Sequence, residues 1–230
     1  MKLCGLVQGV TASDEAAVTS IPRLVADNHL SSSSLPSDMS VQLVIEAGHL
    51  GDRPTAHRAL TSEAPEIRAV ALSACLRLKT LDWLLLEPFF DDPSPFVRRR
   101  ALELAVRLEP IGAPLSRLLA RLVDTAAVAE MGAFALGEIG RATPEVVDAL
   151  AQMTKNHDDP LCREAAVAAL GALHSGRETI LGALADIATV RRRAVLALAP
   201  FDGPDIEAAL THALTDRDWQ VRQAAEDLLG

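Results

Sequence analysis

A chain of 230 residues with 49% hydrophobic side chains can bury a sizeable core, which excludes global disorder. Only 3% of the residues are aromatic and none is Tyr, so small aliphatic side chains dominate and favour close helix packing over a β-sandwich core. A formal charge of −9 sets the field of the whole molecule against nucleic acid and anionic membrane.

At the N-terminus, MKLCGLVQGV is broken by Gly5, Gln8 and Gly9 and makes a poor signal peptide. No later run reaches the roughly 18 uninterrupted apolar residues that a membrane span requires. Cys4, Cys75 and Cys162 lie far apart and none belongs to a CxxC pair, so neither a disulfide framework nor a zinc site is expected. A soluble, reduced, cytoplasmic protein follows as the expectation. SDEAAVTSIPRLVAD and DMSVQLVIEAGHL read as the two helices of a hairpin interrupted by the Ser-rich NHLSSSSLPSD. Residues 1–51 are expected to form a divergent N-terminal capping unit with a mobile loop at 28–38.

From residue 52 to 230 one pattern recurs, and it predicts a single continuous array. With Val97 of DDPSPFVRRRALELAVRL as phase zero, Arg stands at phase 1 and Ala at phase 4, with further apolar residues at phases 7, 8 and 11. Copies start at Ile67, Cys162, Val190 and Val221, and a weaker one at Val128 carries Ala129 in place of the Arg. Successive phase-zero residues are 30, 31, 34, 28 and 31 apart, a period that signals stacked repeats. The apolar phases trace one stripe of a 3.6-residue helix. Between the copies lie second helical segments, TLDWLLLEPFF, APLSRLLARLV, TPEVVDALAQM, RETILGALADI and PDIEAALTHAL. DDPSP, KNHDDP and DRD mark the turns, with Asp and Pro placed to cap and start the next helix. Each unit is a helix hairpin that cannot bury both faces alone, so neighbours must stack.

The motif D-x-P-x-x-V-R-x-x-A-x-x-A-L-G resembles the HEAT family, in particular its short PBS-lyase-type repeat. Asp92, Pro93, Val97, Arg98 and Ala101 carry the match in one unit; Asp159, Arg163, Ala166, Ala169, Leu170 and Gly171 carry it in another. Asp216, Val221, Arg222, Ala225 and Leu229 carry it in the last. The resemblance implies an all-α fold, an α–α superhelix forming a right-handed solenoid of about seven helix hairpins. It also implies that the phase-one arginines Arg68, Arg98, Arg163, Arg191 and Arg222 pair with turn aspartates in a ladder. The available acids are Asp92, Asp124, Asp159 and Asp216.

In arrays of this kind the second helix of each hairpin lines the concave surface, so phases 2, 3 and 6 become candidate partner contacts. Two basic pairs, Arg99/Arg100 and Arg192/Arg193, flank a patch containing Glu130, Met131, Phe134 and Glu164. Such a strip suits an acidic or amphipathic segment of another protein, with Met131 and Phe134 as apolar contacts.

Catalytic signatures do not emerge. The six histidines lack HxxxH spacing and none precedes Glu, unlike the paired His-Glu motifs that hold iron in HEAT-like deoxyhypusine hydroxylases. GxSxG, GxxxxGK[ST] and GxGxxG are absent. Asp82–Trp83 and Asp218–Trp219 have a faint likeness to HEAT-like DNA glycosylases, but a −9 chain lacks the dense basic track that phosphate binding needs. The expectation is a non-catalytic scaffold or adaptor binding another protein on its concave face, without cofactor, metal or membrane partner. The alternatives are a PBS-lyase-like accessory role in cofactor attachment and, less favoured by charge, nucleic-acid processing.

Overall fold

The computed structural model describes residues 39–230. Of the N-terminal unit expected over 1–51, residues 1–38 lie outside the described residues, and with them the Ser-rich loop at 28–38.

Thirteen α-helices and no strand are present among the described residues, so the class is all-α. In order they are α1 (Val41–Leu50), α2 (Arg53–Ala59), α3 (Pro65–Arg77), α4 (Trp83–Leu86), α5 (Pro95–Ala105), α6 (Leu115–Ala120) and α7 (Ala126–Ile139). There follow α8 (Pro144–Asn156), α9 (Pro160–Ala172), α10 (Arg177–Ala183), α11 (Ala188–Ala197), α12 (Pro204–Ala213) and α13 (Trp219–Leu229). The odd-numbered helices form a row in which each packs on the next, from α1 through to α13. Even-numbered helices form the other layer, each beside the odd helix that follows it.

Local chemistry sets these boundaries. Pro opens α3, α5, α8, α9 and α12, where its fixed φ suits the first turn and its missing N–H costs nothing. Asp159 and Asp218 cap α9 and α13 by accepting hydrogen bonds from the backbone N–H groups of Leu161 and Gln220. The segment TLDWLLLEPFF does not make one long helix: α4 stops after one turn and continues as a 3-10 turn over Glu87–Asp91. Pro88, in the second position of that turn, has no backbone N–H and so cannot continue the α-helical hydrogen-bond ladder. A second 3-10 turn, Arg121–Val123, follows α6.

The phase-zero residues Ile67, Val97, Val128, Cys162, Val190 and Val221 are all buried, as are Ala71, Ala101, Ala166, Ala194 and Ala225 at phase 4. Small residues at these points let the odd helices come close. The motif glycine at phase 9 has a specific reason. A Cβ placed on Gly137 would lie 3.0 Å from Ala169 Cα, and one on Gly171 would lie 2.9 Å from Ala197 Cα. Each glycine faces the phase-7 alanine of the next repeat, so α7, α9 and α11 touch backbone to backbone. Other repeats carry Leu76 or Val106 at phase 9.

Replacing Gly171 with Val should therefore destabilise the protein by about 3 kcal/mol, because backbone must shift to admit the side chain. Gly182, helical but with nothing within 4 Å of its would-be Cβ, provides the opposite case. Gly182→Ala should stabilise by about 0.5–1 kcal/mol through helix propensity alone. Urea unfolding of the two variants against the parent checks both signs.

Candidate functional site

Two kinds of functional residue share the odd helices, and the structure separates them by direction. The phase-one arginines run along the turns. Arg68 donates from Nε and Nη2 to both carboxylate oxygens of Asp92, Arg98 does the same to Asp124, Arg163 to Asp186 and Arg191 to Asp216, all at 2.6–2.8 Å. The remaining nitrogen, Nη1, reaches back to the carbonyls of the arginine's own turn. Arg98 contacts Asp92 and Pro93 this way, Arg163 contacts His157 and Asp158, and Arg191 contacts Asp186. Each aspartate also accepts from a backbone N–H of its own turn, that of Ser94, Thr125, Ile187 or Asp218. Every paired guanidinium thus spans two successive turns, with the planar fork matched to a carboxylate.

Asp159, expected in the ladder, is instead the cap of α9, and the carboxylate that meets Arg163 is Asp186. The reason is reach. The paired acids stand four or five residues ahead of phase zero, whereas Asp159 stands three ahead of Cys162. Asp158 has the right offset, but Ala129 leaves no guanidinium on α7 to reach it. In place of that rung, the Cys162 thiol donates to the Ala126 carbonyl at 3.2 Å. Arg222 donates to the Asp216 carbonyl at 2.7 Å and has no carboxylate partner among the described residues. The even layer carries ties of its own that the repeat pattern did not announce, Arg117 with Asp91 and Arg177 with Asp205.

On the opposite side, phases 2, 3 and 6 of α7 and α9 converge. Glu130, Met131, Phe134, Gly137 and Glu138 of α7 face Leu161, Glu164, Ala165, Ala168, Ala169 and Ala172 of α9 across a cleft of about 480 Å³, and Arg193 of α11 closes one side. Gly137 and the alanines make the floor. Phe134 and Leu161 among its lining stand 45% and 57% exposed, and with Met131 they place apolar surface around one concavity. A shallower continuation toward α11 shares Ala168, Ala172 and Arg193 and adds Leu196 and Pro200.

Five of the eight expected contact residues, Glu130, Met131, Phe134, Glu164 and Arg193, are brought together here. Arg99, Arg100 and Arg192 are not among the lining residues. Arg100 pairs with Glu103 one turn on at 2.8 Å, both partly exposed, an arrangement worth little. Arg193 is held by Glu164 at 3.1 Å. Ala165 and Ala168 stand at the expected phases 3 and 6, whereas Leu161, Gly137, Glu138, Ala169 and Ala172 were missed from sequence. Leu161 at phase −1 lies on the same outward face as phases 2, 3 and 6, so the helical period could have found it. Trp219 is 64% exposed, while Trp83 donates its indole N–H to the Glu109 carbonyl at 2.8 Å.

Electrostatics distinguish the two regions. Burial alone would raise the Asp92 and Asp124 carboxyls, but hydrogen bonds from Arg68 and Arg98 and from turn N–H groups hold them below the ordinary aspartate value. The guanidiniums of Arg163 and Arg191 do the same for Asp186 and Asp216. Burial pushes the Cys162 thiol up to about 11, with Asp159 and Glu130 adding to the effect, so it is no nucleophile at neutral pH.

No protein-family model matches the sequence, and no curated protein matches it. Among solved structures, the Escherichia coli protein YibA superposes with a TM-score of 0.61 at 18% identity, over 85% of this chain and 76% of that one. An engineered protein gives 0.58 at 20% identity, over 77% of this chain and 97% of the other. Human deoxyhypusine hydroxylase, solved in complex with glycerol, gives 0.44 at 24% identity, over 84% and 80%. The likenesses to YibA and the engineered protein show the fold, a helical repeat-like arrangement. No described helix is long and apolar enough to cross a membrane.

Removing Arg68 strands the largely buried carboxylate of Asp92, which pairs with no second cation among the described residues. Arg68→Met should therefore cost about 3 kcal/mol in urea unfolding, whereas Arg100→Met should stay within about 0.5 kcal/mol. The depressed aspartates also fix an acid limit. With folded values below the unfolded one near 3.8, the unfolded state binds more protons at low pH. The ladder's contribution is then complete above about pH 5 and is lost as pH falls through 3.8 into the lower folded range. Unfolding free energy measured from pH 6 to 2.5 should show this decline, and Asp124→Asn should lessen its slope.

Proposed function

We propose that this chain is a HEAT-like repeat protein, a right-handed α-solenoid of about seven hairpins, that works in the cytoplasm as a non-catalytic scaffold or adaptor. Residues 52–230 form its repeat array, and residues 1–51 act as the N-terminal cap. It grips an amphipathic segment of another protein in the cleft between α7 and α9. The observation that carries this reading is the convergence of exposed Phe134 and Leu161 with Met131 on a cleft floored by glycine and alanine. Aromatic and aliphatic anchors beside a preformed concavity are the features that dominate binding energy at protein interfaces. The turn before each wall is tied by arginine, Arg98 reaching Asp124 ahead of α7 and Arg163 reaching the His157 and Asp158 carbonyls ahead of α9, although the rung between α7 and α9 is absent. Nucleic acid is disfavoured on chemical grounds: Glu130, Glu138 and Glu164 around the cleft would repel phosphate.

The test is affinity capture from the native host, with the wild type run beside Phe134→Asp/Leu161→Asp and beside Leu84→Asp/Ile111→Asp. The second pair alters exposed apolar residues away from the cleft. Partners should be recovered with the wild type and the control and lost, by at least tenfold in yield, with the cleft variant. Equal recovery in all three would refute docking in this cleft.

A further inference from the structure

The cleft specifies the charge of what it holds. Resting on the reading of the cleft as a docking site, we infer that its occupant is a basic amphipathic helix of about three turns, with a Leu-type apolar stripe flanked by Lys or Arg. Length comes from the walls. The lining residues of α9 run from Leu161 to Ala172, about 16 Å at 1.5 Å per residue, and those of α7 run alongside from Glu130 to Glu138. The two walls are parallel in chain direction: Ala126 meets Cys162 near their N-terminal ends and Gly137 meets Ala169 near their C-terminal ends. Two parallel helices with small residues between them leave a straight trough, which is the shape that accepts a third helix rather than an irregular loop.

Charge comes from the rim. Three carboxylates, Glu130, Glu138 and Glu164, line the trough against one guanidinium, Arg193. That guanidinium is already engaged by Glu164, with both side chains partly open to solvent. The whole chain adds a field of the same sign, with a net charge of −9. A cationic segment is thus steered to the trough and can share Glu164 with Arg193 on arrival, whereas an acidic segment would meet the rim with like charge. The acidic type of segment expected from Arg99/Arg100 and Arg192/Arg193 is set aside for the same reason: of those four, only Arg193 reaches the trough. Leu161, Met131 and Phe134 set the apolar side; at phases −1, 3 and 6 of parallel walls they stand four and three residues apart along the axis, which suits residues i, i+3 or i+4, and i+7 of a helix.

The experiment pans a phage-displayed library of random 16-residue peptides on the purified full chain and measures the enriched peptides by fluorescence anisotropy. Variants whose fold is checked by circular dichroism provide the comparison. Enriched peptides should carry net positive charge and helical apolar spacing. Their affinity should fall at least tenfold with Glu130→Lys/Glu138→Lys and with Phe134→Asp, and rise severalfold with Arg193→Ala, which frees Glu164. Acidic or neutral peptides that lose binding with Phe134→Asp but not with the two Glu→Lys changes would overturn the charge assignment and leave the docking site standing. Peptides insensitive to every cleft variant, or no enrichment at all, would overturn both.

Discussion

A guanidinium that holds two turns at once is the interaction on which the rest of this structure depends. A helix hairpin of this size cannot bury both faces, so the repeats must stack, and stacking on an apolar stripe alone leaves the register between neighbours loosely fixed. Arg68, Arg98, Arg163 and Arg191 remove that freedom. Nη1 of each is anchored to carbonyls of its own turn, and the other two nitrogens grip the carboxylate of the next. The aspartates in turn accept from the backbone N–H groups of Ser94, Thr125, Ile187 and Asp218, the residues just before the following helices. Ladder, turns and repeat spacing are therefore one network. Its contribution is more to geometry than to net stability, since largely buried ion pairs give back much of their attraction in lost hydration.

With the turns fixed, the opposite side of the odd helices is free to vary. The cleft between α7 and α9 exists because two conditions coincide there. Gly137 and Gly171 bring three helices into backbone contact, which lowers the floor, and Glu130, Met131 and Phe134 of α7 with Leu161 and Glu164 of α9 are long enough to raise the walls. Recognition and scaffold are thus written in different phases of the same repeat, which lets one change without the other.

Much of this was legible in the sequence, for a physical reason. Phase zero and phase 4 report burial along a single helix, and a 3.6-residue period displays that directly in Val97 or Ala101. The arginines at phase 1 were equally plain. Their partners were less so, because the choice between Asp159 and Asp186 depends on how far a turn lies from the preceding helix, a distance set by stacking. The cleft was partly legible by the same period: Met131 and Phe134 stand on the outward face by phase, and Leu161 at phase −1 lies on the same stripe of its own helix. What no phase shows is that the concavity opens between α7 and α9. Arg99 and Arg100, a conspicuous run of charge, stand on α5, one helix away from its walls.

The missing rung at Ala129 has a consequence for the response to acid. From α3 onward the other adjacent odd helices are clamped at the turn end by a bidentate ion pair, but α7 and α9 have there the thiol of Cys162 against the Ala126 carbonyl, a weak donor. Farther along, Gly137 and Ala169 bring the two backbones into contact. Neither contact titrates with the aspartates, so protonation that loosens the neighbouring joints leaves the joint beneath the cleft unchanged.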